Sequence, residues 1–417
     1  MSLVEPSTFA SAVQDVNFAD PEFLADPFNP IQRLQNEAPV FYSETQKGWI
    51  ISRHHDVRAV LADRRFLSAR VVQLFRGMPP EIEKQVEAFK HFNQLNIVRL
   101  DGRDHTRIRV LMLKAFDRAL VRKFESHIVE IVDEILDECE RLGEFNFFKV
   151  VGEVLPSGVI QRLFDLPQET RPILFKLASD FVSASGAATM TPELLLQLDR
   201  SIREMNELFV ELVAERELNP GDDLVSTMIH ARDGLSRLSN DEMLAQFHSV
   251  VSAGAETTAN SLATQLVEIA RNPVLLERLR TDPDCAFNMT TELLRYPGTI
   301  KCMTRLAGED IDFQGQSIRK GDLIWVMHVG ANIDPTVFPD PYTIDIDRPN
   351  LREAMSFGPG FHHCIGNMLA RSELTTFFIR AFDRFDVEIL PQQFDMVPSY
   401  VFYGFKELKV RFTPRPK

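Results

Sequence analysis

The sequence predicts a mainly α protein with a smaller β-rich part, an α+β chain. Apolar side chains recur at helical spacing through residues 104–141 and again through residues 239–270. Shorter runs rich in β-branched and aromatic residues, bounded by turn residues, occur at 39–52, 305–327 and 385–412. The sequence has no linker-like composition and no internal repeat, so it gives no sign of a domain boundary.

The first elements follow from local patterns. Residues 39–52 predict a β-hairpin whose polar turn contains Gly48. A short helix is expected from His54 to Ala62 and another from Glu81 to Phe92, and residues 147–216 predict three more helices.

The longest helix is predicted to start at a capping sequence. Ser239 precedes Glu242 by three residues, as in a capping box, and the apolar pattern then continues to Ala270. At 1.5 Å per residue such a helix is roughly 45–50 Å long and can cross a whole domain. Gly315 and Lys320-Gly321-Asp322 divide the later β-rich stretch into short strands.

The composition and charge of the chain argue against several classes of protein. The chain has 417 residues, of which 44% are hydrophobic, so it can bury a large core. A net charge of −14 argues against general binding to nucleic acids. The four cysteines show no disulfide spacing, and neither a signal peptide nor an apolar run of about 18 residues is present. We therefore expect a cytoplasmic protein that neither spans a membrane nor binds nucleic acid.

One glycine-rich segment carries a cysteine directly before a predicted helix. It runs Phe357-Gly358-Pro359-Gly360-Phe361-His362-His363-Cys364-Ile365-Gly366. Glycines allow the backbone to pass close to a flat ligand, and donors at a helix start lower the pKa of a thiol. A buried structural cysteine is the alternative. A zinc site at His362, His363 and Cys364 is less favoured, because neighbouring residues converge poorly on a tetrahedral ion.

This segment fits the pattern Phe-Gly-x-Gly-x-His-x-Cys-x-Gly and resembles the heme-binding signature of the cytochrome P450 family, in its soluble bacterial form. The resemblance implies one large domain over 1–417, with a β-rich part at about 38–65, a helical core at about 80–300 and the heme-thiolate loop at 357–366. It also implies that Cys364 is the axial thiolate ligand of the iron of heme b, iron protoporphyrin IX.

The middle of the long helix carries a second motif, Ala253-Gly254-Ala255-Glu256-Thr257-Thr258. Glycine costs about 1 kcal/mol inside a helix, so Gly254 requires a packing or functional reason. The six residues resemble the family's acid–alcohol motif. The resemblance places Gly254 beside the oxygen-binding face of heme, and it makes Glu256 and Thr257 the catalytic pair that delivers protons.

Further family positions have matches in the same order. Glu292 and Arg295 have i, i+3 spacing, and His105 and Arg109 have i, i+4 spacing, so each pair shares one face of a helix. A solvated surface face is the alternative for both pairs. The resemblance makes Glu292 and Arg295 a buried structural ion pair. It implies that heme propionates bind His105, Arg109, Arg305 and His362.

The resemblance implies a monooxygenase that hydroxylates or epoxidises a mainly apolar small molecule, such as a secondary metabolite, terpenoid, steroid or fatty acid. Two electrons from NAD(P)H are expected through ferredoxin reductase and ferredoxin, with no reductase domain fused to the chain. A peroxide-driven peroxygenase or decarboxylase and a non-catalytic heme-based ligand binder are the alternatives. The Glu256–Thr257 pair argues against the first, and a sensor would need no proton relay.

The last predictions concern surfaces. The protein is expected to be a monomer. A basic patch for the ferredoxin is expected at Arg107, Lys114, Arg118, Arg122 and Lys123. Helix spacing from the acid–alcohol motif, together with the family's contact regions, predicts a substrate pocket formed by Phe247, Val250, Ala253, Gly254, Thr299, Ile300, Met303 and Phe402.

Overall fold

The structure is a computed structural model that describes residues 15–68, 78–116, 118–185 and 191–416. Most of these residues are helical. The α-helices are α1 Pro21–Ala25, α2 Phe28–Glu37, α3 His54–Ala62, α4 Pro80–Glu83, α5 Glu87–Leu95, α6 Gly102–Ala115, α7 Arg118–Leu142, α8 Val154–Leu163, α9 Arg171–Ser185, α10 Pro192–Leu218, α11 Leu224–His230, α12 Asn240–Arg271, α13 Pro273–Thr281, α14 Ala286–Arg295, α15 His328–Asn332 and α16 Asn367–Arg384.

The strands form three sheets within the described part. The strands are β1 Val40–Ser43, β2 Gly48–Ile51, β3 Phe66–Leu67, β4 Glu144–Asn146, β5 Met303–Ala307, β6 Ile311–Phe313, β7 Gln316–Ile318, β8 Leu323–Val326, β9 Phe385–Ile389 and β10 Lys409–Pro414. The largest sheet has the order β1-β2-β8-β5-β3, and β4-β10-β9 and β6-β7 form the others. This α+β architecture confirms the predicted fold class.

The long helix α12 begins as predicted. The Ser239 hydroxyl accepts a hydrogen bond from the backbone N–H of Glu242, and the Glu242 carboxylate accepts one from the N–H of Ser239. This capping box satisfies two donors that the first turn leaves unpaired. Helix α12 then packs against α5, α8, α9, α10, α14 and α16, so it runs through the middle of the fold.

Local predictions failed where tertiary contacts decide the conformation. The helix expected at 81–92 is interrupted at residues 84–86 and becomes α4 and α5. Gly48 opens β2 and lies outside the turn. A Cβ at Gly48 would lie 2.6 Å from the carbonyl oxygen of Leu323, so the parallel approach of β8 requires glycine there.

The main hydrophobic core lies on the C-terminal side of α12. Leu262 and Leu266 of that helix pack with Phe377, Phe378 and Phe382 of α16, all with essentially no exposed surface. This packing fixes α16, and with it the segment that precedes α16, relative to α12. Within the described ranges, no helix combines the length and the apolar composition needed to cross a bilayer.

Candidate active site

The cysteine segment is a tight loop ahead of α16. Gly358 and Gly360 have φ angles of 66° and 80°, which L side chains rarely adopt. A Cβ at Gly360 would also lie 2.5 Å from the carbonyl oxygen of Leu61, which belongs to α3. The backbone N–H of Cys364 donates to the carbonyl of Phe357 at 3.0 Å, which closes the loop.

Cys364 is half-buried, unlike the other three cysteines, which are buried. Burial raises the pKa of the Cys364 thiol, whereas the backbone N–H of Gly366 and the charge of Arg109 lower it. The prediction of a lowered pKa was therefore wrong for the chain alone, because desolvation outweighs the donor at the helix start. A coordinated metal ion removes the proton from a thiol by its own charge.

Basic side chains gather beside this loop. His105 of α6 is buried, and its ring centroid lies 4.1 Å from that of His362. The guanidinium of Arg109, one helical turn after His105, donates to the carbonyl of His363 at 2.7 Å. Arg305 of β5 is buried and acts electrostatically on both histidines. The structure thus brings together the four residues predicted to bind propionates.

This cluster has an excess of positive charge. Burial, followed by the charges of His362 and Arg109, lowers the pKa of His105 to about 4, and only Asp101 acts in the opposite direction. The buried Nε2 of His105 has no hydrogen-bond partner among the described residues. A buried unpaired polar atom beside like charges favours an anion. The two propionates of heme would meet that requirement, so this cluster fits the cofactor.

Sequence reasoning missed a fifth basic residue, His328, at the start of α15. Its Nδ1 lies 2.9 Å from the carbonyl oxygen of Met355, and its Nε2 is buried without a partner in the described part of the chain. Its ring lies 3.6 Å from where a Cβ of Gly358 would stand. Burial and the charge of Arg305 lower the pKa of His328. Its position two residues after the end of strand β8 was the available signal.

The zinc alternative has no support in the geometry. In the described ranges, no three His, Cys, Asp or Glu side chains converge as metal ligands would. Instead, His363 Nδ1 contacts the carbonyl of Gly358 at 2.7 Å, and His362 Nε2 contacts the hydroxyl of Ser68 at 3.0 Å. His363 therefore contacts the backbone of its own loop, and His362 contacts Ser68, which directly follows strand β3.

One face of α12 stays open although the helix is otherwise buried. Ala253 is exposed, and Val250, Glu256 and Thr257 are half-buried, between turns with almost no accessible surface. Val250 packs against the same buried cluster as Ile365, the residue after the cysteine. Helix α12 also contacts α16, the helix that directly follows the cysteine loop. The accessible face of α12 is therefore the candidate surface for a flat cofactor with a ligand above it.

The acid–alcohol pair lies along this stretch of the helix. The Thr257 hydroxyl donates to the carbonyl of Ala253 at 2.6 Å, which is the competition with helix bonds expected of a threonine there. The Glu256 carboxylate accepts a hydrogen bond from Asn260 Nδ2 at 3.3 Å. Burial raises the pKa of Glu256, which favours a carboxyl group that can hold a proton.

Part of the predicted substrate pocket comes together in space. Ile300 pairs with Phe402 through an isolated β-bridge, and Met303 packs in the same small apolar group. Thr299 is buried, and its hydroxyl lies 2.7 Å from that of Ser261 on α12. These chain segments therefore meet beside α12.

Two predicted pocket residues have other contacts. Phe247 has no accessible surface and stacks with Phe164 and Phe209, so it belongs to the core and not to the pocket wall. A Cβ at Gly254 would lie 3.3 Å from Cδ1 of Ile160, so close packing of α8 explains this glycine. The prediction that Phe247 lines the substrate pocket was therefore wrong, because the rings of Phe164 and Phe209 cover its surface.

The ion pair of α14 is completely buried. Glu292 and Arg295 form two hydrogen bonds of 2.6 and 2.7 Å, and neither side chain is exposed. Arg348 adds a third bond to the same carboxylate at 2.9 Å, and Arg295 reaches the carbonyls of Asn332 and Pro341. The pair thereby ties α14 to the irregular segment that leads to the cysteine loop.

The predicted basic patch is largely neutralised. Arg107 pairs with Glu242. Lys114 pairs with Asp233 at 2.9 Å. Lys123 pairs with Asp222. The side chain of Arg118 lies outside the described part. The patch therefore offers less free positive charge than its sequence suggests, because residues about a hundred positions away supply the carboxylates.

Comparison with known proteins gives one consistent family. The family model for cytochrome P450 matches residues 49–292 and 286–401. The polyketide biosynthesis cytochrome P450 PksS of Bacillus subtilis is 31% identical over 94% of this chain and 97% of its own length. The epothilone C/D epoxidase of Sorangium cellulosum is 28% identical over 94% of this chain and 89% of its own length.

The same family is found among solved structures that resemble this fold. Epothilone D-bound cytochrome P450epoK superimposes with a TM-score of 0.87 at 26% identity, and the match covers 96% of this chain and all of that one.

Proposed function

Since this chain belongs to the cytochrome P450 family and is a heme b monooxygenase of that family, we propose that it hydroxylates or epoxidises a mid-sized, mainly apolar secondary metabolite. The observation that carries this proposal is the open face of α12 with Glu256 and Thr257, in a helix that packs on α16, directly after the loop of Cys364. Heme b, when bound, supplies the site at which O₂ is activated.

The cofactor is held from two sides in this proposal. Cys364 gives the iron a thiolate ligand, since the glycine-rich loop ahead of α16 presents the sulfur to the accessible space. His105, Arg109, Arg305 and His362 bind the propionates, because the buried cluster lacks enough negative charge of its own.

Proton delivery is the task of the acid–alcohol pair. Glu256 takes up a proton and passes it toward the open face of α12, and the Thr257 hydroxyl orients the water that carries it. The raised pKa of Glu256 supports this role, because a proton acceptor that titrates closer to neutral pH is more easily reprotonated. Without the pair, reduced oxygen leaves as hydrogen peroxide.

The substrate is held mainly by apolar side chains. Val250, Ala253, Ile300, Met303 and Phe402 supply the walls, so affinity comes from apolar area removed from water, about 25 cal/mol per Å² before the costs of binding. A polyketide is the favoured class, because the name of PksS places that relative in polyketide biosynthesis. Electrons are proposed to come from NAD(P)H through ferredoxin reductase and ferredoxin.

The test combines an isotope label with a variant pair. With NADH, ferredoxin, its reductase and a compound that shifts the Soret band, the product should contain one oxygen atom from labelled O₂. Thr257→Ala should keep NADH consumption, form less product and release more peroxide, whereas Thr257→Ser should behave like the wild type. Equal product from hydrogen peroxide alone, with no effect of Thr257→Ala, would instead indicate a peroxygenase.

A further inference from the structure

The side of α12 that carries Thr257 remains polar over the next three turns of the helix. Ser261, Gln265 and Glu268 follow Thr257 at intervals of four, four and three residues, so all four lie on one side of α12. These four residues form a polar stripe about 16 Å long. Ser261 and Gln265 are buried, whereas Thr257 and Glu268 at its two ends are half-buried.

The opposite side of the same turns is apolar. Leu262, Ala263 and Leu266 pack there in the main hydrophobic core. Burying an amide or a hydroxyl costs free energy unless new hydrogen bonds replace those made to water. The buried members of the polar stripe therefore need partners.

Ser261 finds its partners within the protein. Its hydroxyl donates to the carbonyl of Thr257 at 2.7 Å and lies 2.7 Å from the hydroxyl of Thr299. On the neighbouring side of this turn, a Cβ at Gly404 would lie 1.9 Å from Asn260 Oδ1. The chain segments of Thr299 and Gly404 thus cover α12 here, and the polar stripe runs beneath the wall of the proposed substrate pocket.

Gln265 has no partner within the described chain. It has no exposed surface, and neither its Oε1 nor its Nε2 makes a hydrogen bond to a described residue. The nearby Asn260 Oδ1 is buried without such a partner as well. Inside proteins, amide groups of this kind are satisfied by ordered water. The unsatisfied amide of Gln265 therefore marks a buried water site one turn after Ser261.

Glu268 is the member of the polar stripe that meets solvent beyond the core. Residues 258–267 of α12 are all buried, and Glu268 is the first residue after them with accessible surface. Partial burial raises the pKa of its carboxyl, against the charge of Arg271. The group therefore takes up and releases protons closer to neutral pH than a fully solvated carboxyl does.

We propose that Gln265 binds ordered water and is a positioning residue of a proton route along α12 from Glu268 to Thr257. In each transfer the Glu268 carboxyl gives its proton to the water at Gln265, which passes one of its own protons to the Ser261 hydroxyl. Ser261 in turn gives its proton to the water that Thr257 orients. The Glu268 carboxylate recovers a proton from a hydronium ion in solvent, which leaves as water. The inference rests on the proposed role of Thr257 and adds a source of protons besides Glu256.

High-resolution crystal structures of the heme-loaded wild type and of Gln265→Leu give the first test. The wild type should show water within hydrogen-bond distance of the Gln265 amide. The variant should lack it, because leucine fills a similar volume without a polar atom. A wild-type amide without water would overturn the inference whatever the activity of the enzyme.

The second test follows the fate of oxygen in the heme-loaded full chain with NADPH, a plant-type ferredoxin and its reductase, and no added substrate. Oxygen leaves as peroxide when protons arrive late and as water when they arrive in time. Gln265→Leu and Glu268→Gln should each raise the ratio of peroxide to water by about twofold to tenfold, the factor that corresponds to one hydrogen bond.

Gln246→Leu is the matched control, because Gln246 is equally buried in α12 but has partners. Its Nε2 donates to the carbonyls of Leu95 and Glu242, and its Oε1 accepts from the N–H of Ile97. Gln246→Leu should lower the midpoint of thermal unfolding and keep the ratio of peroxide to water. Gln265→Leu should raise the ratio without lowering the midpoint, since it breaks no bond within the protein.

Thr257→Ala separates failure of this route from failure of the proposed function. If Thr257→Ala raises the ratio and neither Gln265→Leu nor Glu268→Gln does, the route along α12 is overturned and the proposed function stands. If Thr257→Ala also leaves the ratio unchanged, the proposed role of Thr257 is itself wrong, and the route loses its end point.

Discussion

At the scale of single residues, buried polar atoms without a hydrogen-bond partner among the described residues mark groups that a bound cofactor could satisfy. His105 Nε2 and His328 Nε2 lie beside the cysteine loop, where the potential is positive and a dianionic cofactor edge fits. Lys301 Nζ is also buried without a partner in the described part, but it faces the ring of Phe23. The two cases lead to different predictions.

Replacing Arg109 by leucine should weaken heme retention. Loss of one charged hydrogen bond of about 1.5–3 kcal/mol corresponds to an affinity about tenfold to a hundredfold lower. The ratio of heme to protein and the rate of heme transfer to apomyoglobin measure this change. Arg103→Leu is the control, because Arg103 lies on the same helix and is exposed. Equal heme transfer from both variants would remove Arg109 from the cofactor site.

Replacing Lys301 by methionine should stabilise the protein. Burial lowers the pKa of Lys301 from 10.5 to about 8. Below about pH 8, Lys301 is protonated in both the folded and the unfolded chain, so the full cost of burying its charge opposes folding. Between about pH 8 and pH 10.5, Lys301 is protonated mainly in the unfolded chain, so the free energy of unfolding rises with pH. The variant should gain about 3 kcal/mol at neutral pH and lose this pH dependence.

Urea unfolding of the wild type and Lys301→Met at about pH 7 and about pH 10 tests this difference. Lys320→Met is the control, because Lys320 is exposed and its replacement should change stability little. A wild type whose free energy of unfolding does not rise over this interval would contradict the account of Lys301.

At the scale of elements, the ion pair of α14 connects a helix to the chain that forms the cysteine loop. The carboxylate of Glu292 accepts from Arg295 and Arg348 and also from the backbone N–H of Asp345 at 3.1 Å. Desolvation makes such a pair a weak source of net stability, but removing one partner leaves buried charges uncompensated. The network therefore fixes geometry more than it adds stability.

Glu292→Gln should destabilise the fold by about 3–5 kcal/mol, since it leaves two buried guanidinium groups without a carboxylate. Glu138→Gln is the matched control: Glu138 pairs with Arg141 at the same i, i+3 spacing and with two short bonds, but on the surface. Thermal and urea unfolding should separate the two variants clearly. Equal stability of both variants would show that burial of the Glu292 pair has no energetic role.

At the scale of the whole molecule, what the sequence could predict depends on how local the determinants are. Helix α3 and the start of α12 follow from apolar spacing and a capping box, which involve neighbours in sequence. Glycine and cysteine positions in the loop at 357–366 likewise stand in one short motif.

Contacts between distant residues were not predictable in the same way. The carboxylates that neutralise Lys114 and Lys123 lie about a hundred residues further along the chain. Phe247 has the spacing of a pocket residue, but the rings of Phe164, directly after α8, and of Phe209 in α10 cover it.

The central claim is that the cysteine of the glycine-rich loop gives heme its thiolate ligand, and the ferrous–CO spectrum tests it most directly. The wild type should show the strongly red-shifted Soret band of thiolate ligation. Cys139→Ala, Cys285→Ala and Cys302→Ala should keep that band, since these buried cysteines lie elsewhere in the fold. Cys364→Ala should abolish it, and a red-shifted band that persists in Cys364→Ala would contradict the account.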